Sequence, residues 1–300
     1  MTLFLLISLE GVFPMSYRII TDSCCDFPEQ MYKDLDLIHI RLTVDLNGKA
    51  YNKYTEMWLK EMYASLRKGA ATQTSAINPE GWKSVIEPVL QDGQDALVLA
   101  FSSGLSTTHQ SACIAAQELM ASYPDRKVLV VDTLCASLGQ GLLVYYACKQ
   151  RDAGLSLEQL HSWCEEKKLH LCHWFTVDDL MYLKRGGRVS SATALVGTML
   201  QIKPILHVDN EGHLINVGKV RGRKASIEAL AKKMGETALP SENDTVFICH
   251  GDCMEDARYL EKLVKESYGV KNVLIYYTGA VIGSHSGPGT LALFYLGEHR

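Results

Sequence analysis

Neither GxxxxGK[ST] nor GxGxxG occurs anywhere in the 300 residues, so the chain carries no glycine-rich cradle for a nucleotide phosphate. The nine cysteines include no CxxC pair, which argues against a zinc module. Cys24 and Cys25 are adjacent, and Cys249 and Cys253 lie four apart with His250 between them. Buried free thiols in a reducing cytoplasm are the expected reading. Basic charge is not in excess: 30 Lys and Arg stand against 34 Asp and Glu, net −4, which leaves no electrostatic footprint for nucleic acid. A membrane-spanning run is also missing. The N-terminal MTLFLLISLEGVFP is apolar, but it is short, has no basic flank and contains Glu10. Residues 1–14 are therefore read as an N-terminal extension, with no stable membrane insertion. No internal repeat or low-complexity linker divides the rest.

What is present is a hydrophobic content of 47%, enough for a large core and for two domains. Short apolar runs at Tyr17 to Thr21, Leu37 to Val44, Ala96 to Phe101 and Val128 to Val131 alternate with helical stretches. That pattern predicts an α/β/α N-terminal domain over 15–155 with a mostly parallel sheet. From about residue 156 the pattern changes. A helix over 156–168 precedes HLCHWFTVDDL, which alternates like a half-buried strand, and Asn210-Glu211-Gly212 sits between two alternating runs as a hairpin turn. With further strands at Thr245 to Cys249, Val273 to Tyr277 and Leu291 to Tyr295, residues 156–300 read as an α+β domain with a mainly antiparallel sheet. The ligand site is expected between the two domains.

The most informative stretch is Asp95 to Ala116, DALVLAFSSGLSTTHQSACIAA. A buried strand stops in Ser102-Ser103-Gly104-Leu105-Ser106-Thr107-Thr108, and a helix follows from about His109. Five hydroxyls surround one glycine, with no acid, lysine or arginine. Hydroxyls and free backbone N–H groups at a helix N-terminus make an anion cradle; lacking fixed positive charge, it suits a carboxylate. From the local sequence, Ser102 and Ser103 are equally open to plain helix capping, and Ser106 is expected to cap. Asp22 and Asp132 end strands at the ligand-facing edge, where carboxylates hold loop N–H groups. Taken locally, Thr74-Ser75 is a polar loop before a helix near Pro79, and His285 lies in the glycine-rich GSHSG turn. GxSxG is absent, but a serine hydrolase using a serine of 102–106 with His285 or His109 stays open as the alternative.

Six segments in order, RIITDSCCDFP, Thr74-Ser75, SSGLSTTHQSA, VDTLCASLGQG, LKRGGRVSSATALVGTMLQIKPIL and GSHSGPGTLALFYLG, resemble the DegV family of bacterial fatty-acid-binding proteins. The resemblance runs from Met15 to Gly297 and implies the two-domain DegV-like fold. It implies no reaction of the chain's own and no cofactor beyond a bound long-chain fatty acid such as palmitate or oleate. The acyl chain would fill an apolar tunnel, with the carboxylate on Thr74, Ser103, Ser102 and His285 and with Ser75, Ser106, Arg188 and Ser284 in support. The implied partner is a separate ATP-dependent kinase subunit that converts the acid to an acyl phosphate for phospholipid synthesis. Arg188 is preferred to Arg185, and the basic Lys219 to Lys224 stretch is a further candidate partner contact. Two departures stand out: TSAIN replaces the family's TSxPS, and SSGLSTT replaces SSxLSGT, so that Thr107 takes a glycine's place.

Overall fold

Apolar runs too short for helices, each closed by a polar residue, become the strands of the first half: β1 (Tyr17–Asp22), β2 (Ile38–Ile40), β3 (Thr43–Leu46), β4 (Lys49–Tyr51), β5 (Thr72–Ser75), β6 (Asp95–Ala100) and β7 (Val128–Asp132). The structure, a computed structural model, describes residues 17–190 and 201–300. The N-terminal extension, the first two residues of the expected 15–155 domain and residues 191–200 of the LKRGGR to KPIL block lie outside the described residues. Strands β2-β1-β6-β7 form one sheet, parallel at every pairing. β1 and β6 are buried along almost their whole length, as parallel strands covered on both faces must be.

Two expectations need correction here. The run Leu37 to Val44 is not one strand. It breaks at Arg41-Leu42, so that β2 joins the parallel sheet while β3 joins a second sheet of order β4-β3-β5. Leu42 is buried at the break; its N–H donates to Ser23 Oγ at 3.1 Å and its carbonyl accepts from Tyr54 Oη at 2.7 Å. Thr74-Ser75, locally a loop, closes strand β5, which pairs antiparallel with β3 and sets Val44 opposite Thr74. Thr72-Gln73-Thr74-Ser75 lacks apolar alternation because none of its side chains reaches the core.

The second half supplies β8 (Leu171–Thr176), β9 (Ile202–Val208), β10 (Leu214–Arg221), β11 (Thr245–His250), β12 (Asn272–Tyr277) and β13 (Leu291–Leu296). Their order is β10-β9-β8-β13-β11-β12. Only β11 and β12 pair in parallel; the remaining pairings are antiparallel. The 210–212 turn closes the β9–β10 hairpin, with Gly212 at φ +78° in the region glycine occupies freely. β8 differs from the half-buried strand expected of it, because all six residues are buried. Cys172 and Trp174 pack with Leu230 and Met234 of the helix Arg223–Thr237, whereas Leu171 and Phe175 join the cluster around the helix Leu138–Asp152.

That helix holds the two halves together. Every residue from Leu138 to Val144 is buried, and its cluster takes in Leu97, Leu99 and Val131 of the parallel sheet as well as Phe247 and Phe294 of the six-stranded one. A helical segment buried on every side, as this first half is, belongs in an interior. Gly139 permits the approach, since a Cβ there would overlap the His173 ring. The helix Leu157–Lys167 packs on β6 and β7. Among the described residues, no helix is long and apolar enough to cross a membrane.

Candidate functional site

The parallel strands end beside one another, and their terminal carboxylates fix the loops that follow. Asp22, fully buried, accepts from Cys24 N at 2.9 Å through Oδ1 and from Phe101 N at 2.7 Å through Oδ2. Burial pushes its carboxyl up to about 6, with the accepted hydrogen bonds opposing the rise. Asp132 Oδ1 accepts from Ser103 N at 3.1 Å and Leu134 N at 3.2 Å. Both acids therefore hold loop N–H groups, as their positions at strand ends suggest.

Those bonds alter the expected anion cradle, whose backbone donors are largely in use. Ser103 N goes to Asp132, Gly104 N to Ser102 Oγ, and both Leu105 N and Ser106 N to Ser102 O. Ser106, expected to cap, lies one residue before the N-cap position Thr107; its Oγ accepts from Thr108 N at 3.2 Å and bonds Thr108 Oγ1 at 2.9 Å. What the turn offers a ligand is hydroxyls.

The two adjacent serines diverge. Ser102 is fully buried and donates to Gly212 O at 2.9 Å, tying the turn to the β9–β10 hairpin. Its assignment to the carboxylate is therefore corrected: a strand-end side chain facing the other way is committed to protein. Gly212 lets the loops meet, since a Cβ there would overlap Ser102 Oγ. Ser103 faces the opposite direction, is exposed, and its hydroxyl engages no group among the described residues.

Ser103 lines a cavity of about 450 Å³ together with Thr74, Arg188 and His285, a volume within the range of small-molecule sites. Thr74 arrives on β5 and His285 on the helix Ala280–Ser286, and Thr74 Oγ1 lies 2.8 Å from His285 Nε2. Burial, and then the positive charge of Arg188, lower His285 to about 4, so the imidazole is neutral at pH 7. Arg188 is the one lysine or arginine among the described lining residues. Its guanidinium donates to Leu105 O through Nε at 3.2 Å and Nη2 at 2.9 Å, and to Gly186 O. It thus braces the serine turn while bringing a cation to a cavity whose nearest turn has none. Beyond this polar mouth the lining is mostly apolar, with Leu42, Phe101, Phe175, Val208, Leu214 and Phe294.

Other candidates fall elsewhere. Ser75 is exposed and outside the lining. Ser284 is buried with Oγ donating to Ala280 O at 2.7 Å, and braces its own helix. Arg185 stacks on Tyr182 at 4.6 Å and borders a separate outer cleft of about 410 Å³ that shares Thr74, Arg188 and His285 with the cavity. Within Lys219 to Lys224, Arg223 is bound to Asp256 at 2.8 Å, while Lys219, Arg221 and Lys224 are exposed. Seven cysteines are buried and Cys253 partly so, but Cys113 is exposed, 3.4 Å from His109 Nε2.

The two motif departures fit the fold. Ile77 is buried, and Asn78 caps the helix Pro79–Gln91 by accepting from Gly81 N at 2.8 Å. Thr107 has φ −78°, where no glycine is required. Among the described residues, no hydrogen bond joins a serine of 102–106 to a histidine, and His285 is bonded to Thr74 instead. The base–nucleophile contact a serine hydrolase needs is not formed. Residues the sequence did not single out, including Ser137, Cys249, Thr278, Ser286 and Thr290, also line the cavity. Ser137, Ser286 and Thr290 gave no signal beyond membership of the VDTLCAS and SHSGPGT segments, Cys249 was read only as a buried thiol and Thr278 gave none, since separate strands, loops and a helix bring the five together.

Comparison with known proteins agrees with this architecture. A DegV domain-containing protein of Clostridium perfringens is 45% identical over 286 residues, covering 95% of this chain and 98% of that protein. A Thermus thermophilus DegV family protein, described as fatty-acid binding, superposes with a TM-score of 0.84 at 32% identity, covering 94% of this chain and all of the other. A Thermotoga maritima protein, described as revealing a fatty-acid-binding function, gives 0.81 at 30%, covering 94% and 99%. The DegV family model matches residues 16–298, and the chain belongs to the DegV family.

Proposed function

We propose that this protein binds one long-chain fatty acid, with its carboxylate at the Thr74–Ser103–His285 mouth and its acyl chain in the apolar cavity. The observation that carries this reading is the cavity itself: the uncommitted hydroxyl of Ser103, the Thr74 hydroxyl and a neutral imidazole gather at one part of an otherwise largely hydrocarbon wall. The fatty-acid binding ascribed to the Thermus and Thermotoga proteins supports it. Each neutral donor to a carboxylate contributes about 1.5–3 kcal/mol, and each buried methylene about 0.8 kcal/mol. A chain of about sixteen carbons therefore supplies most of the affinity by that figure, and the mouth supplies orientation. Arg188 adds long-range attraction for the anion without a lysine blocking its oxygens.

We infer further that the protein has no reaction of its own and presents the bound carboxylate, in the cytoplasm, to a separate kinase that forms an acyl phosphate with ATP. Two features favour this: the chain has no phosphate-binding fingerprint of its own, and Ser103 is exposed at the mouth. Mass spectrometry of the organic extract of purified protein tests the binding. A stoichiometric long-chain acid is the expected result; an empty extract, followed by failure to take up palmitate or oleate, would leave only the fold in common with the relatives. Phosphorylation of the bound acid by an added kinase and ATP tests the presentation separately.

A further inference from the structure

The cavity wall is not hydrocarbon throughout. Thr290 precedes β13, Thr278 follows β12 and Cys249 lies near the end of β11, so this end of the six-stranded sheet turns polar groups into the cavity. Ser137, at the start of the helix Leu138–Asp152, meets them: its Oγ and Thr278 Oγ1 lie 3.2 and 3.1 Å from Cys249 Sγ. Three of these hydroxyls already have acceptors for their protons. Ser137 donates to Asp26 Oδ2, Thr278 to Cys249, and Thr290 to Gly287 O at 2.8 Å. Each keeps lone pairs able to accept.

Ser286 is the exception. It lines the same cavity, is 3% exposed, and its Oγ has no hydrogen-bond partner. Buried hydroxyls are normally partnered, and an unmade bond is more costly than a made one is favourable. An unbranched hydrocarbon chain packed against Ser286 would leave it unpartnered. An alkene or an ether-free saturated chain offers it nothing, and a ketone could accept from Ser286 but could not donate to the neighbouring lone pairs. A hydroxyl does both.

We propose that the cavity prefers a long-chain acid bearing a hydroxyl group on its chain to the unsubstituted acid of equal length. Ser286 donates to the ligand oxygen, while Ser137, Thr278 and Thr290 offer lone pairs to its proton. The proposal rests on the fatty-acid reading above and specifies the substrate class of that same cavity.

The test is competitive binding of stearate and a series of hydroxystearates, substituted at successive chain positions, to the full-length protein. At least one positional isomer should bind about tenfold more tightly than stearate, and that ratio should collapse towards one in Ser286→Ala. Stearate binding as tightly as every isomer would overturn the proposal while leaving the fatty-acid reading intact. A preference that persists unchanged in folded Ser286→Ala would equally overturn it. Failure of stearate and all the isomers to bind would instead remove the fatty-acid reading itself. The wild-type comparison needs no variant, so it decides the matter even where Ser286→Ala does not fold.

Discussion

The serine turn after β6 and the helix Ala280–Ser286 meet at the same cavity, yet they treat their polar groups in opposite ways. In the turn nearly every donor is used internally, through Asp22, Asp132 and Ser102. On the helix, where Ser284 is bonded to Ala280 O, Ser286 Oγ has no partner among the described residues and His285 Nε2 bonds Thr74. A loop that satisfies itself is rigid before any ligand arrives, and rigid loops position well. A segment with unmet hydrogen-bonding capacity is where a ligand can gain most. The turn is therefore chiefly scaffold, with only the hydroxyls of Ser103 and Thr107 uncommitted among the described residues, and the helix is chiefly receptor.

Substitution in the scaffold should appear as stability, and substitution in the receptor as affinity. The largest effect is expected for Asp22→Ala, which leaves Cys24 N and Phe101 N unpaired at a fully buried site. A loss of about 3 kcal/mol or more follows from two unsatisfied buried donors, read as the shift in denaturation midpoint. A loss under about 1 kcal/mol would mean that the turn does not depend on this carboxylate. Ser102→Ala should come next, at about 1–2 kcal/mol, with fatty-acid affinity changed far less than in Ser103→Ala. Reversal of that order between the adjacent serines would dissolve the distinction between scaffold and receptor.

Ser103→Ala and Thr74→Ala should leave the thermal midpoint near wild type and weaken fatty-acid retention about tenfold, as loss of one donor to a charged acceptor implies. Isothermal titration with palmitate, alongside thermal melts, separates the two quantities. Undiminished affinity in both variants would place the carboxylate elsewhere in the cavity.

Much of this was legible in the sequence, for reasons that can be named. Asp22 and Asp132 were readable because an acid closing an apolar run has few roles other than holding the next loop. The alternating runs around Asn210-Glu211-Gly212 fixed the hairpin because a period of two leaves little choice of register. Ser102 could not be told from Ser103, because which of two neighbours faces the core depends on where the strand stops, and Gly212 lies 110 residues away from Ser102. β5 was missed because Thr-Gln-Thr-Ser carries no apolar signal, and only pairing with β3 makes it a strand. The Ser137–Cys249–Thr278 contacts were out of reach for the same reason, since they join segments more than a hundred residues apart in part.

The smallest effect, and the finest test of the contrast, is pH. His285 is lowered from 6.5 to about 4 by burial and Arg188. A depressed histidine contributes stability that is complete above pH 6.5 and lost as pH falls towards 4. Asp22 and Asp26 run the other way: raised from 3.8 to about 6 and about 7 by burial, they contribute stability present below 3.8 and lost as pH rises through those values. The receptor thus favours the alkaline side of this window and the buried acids the acidic side; burial also lowers His173, His207 and His250, so the histidines outnumber the two acids and the wild-type profile should rise with pH between about 5 and 6.5. Replacing one side should tilt it. Asp26→Asn keeps an acceptor for Ser137 but removes the ionisation, so its stability relative to wild type should climb between pH 4 and 8, by about 1 kcal/mol or more. Palmitate affinity between pH 6 and 8 should stay level, because His285 remains neutral throughout. An affinity that fell steadily over that range in Asp26→Asn as well as in wild type, so that Asp26, itself raised to about 7, is not the group responsible, would show that the mouth histidine carries charge when the ligand binds, and that the receptor holds its carboxylate as an ion pair.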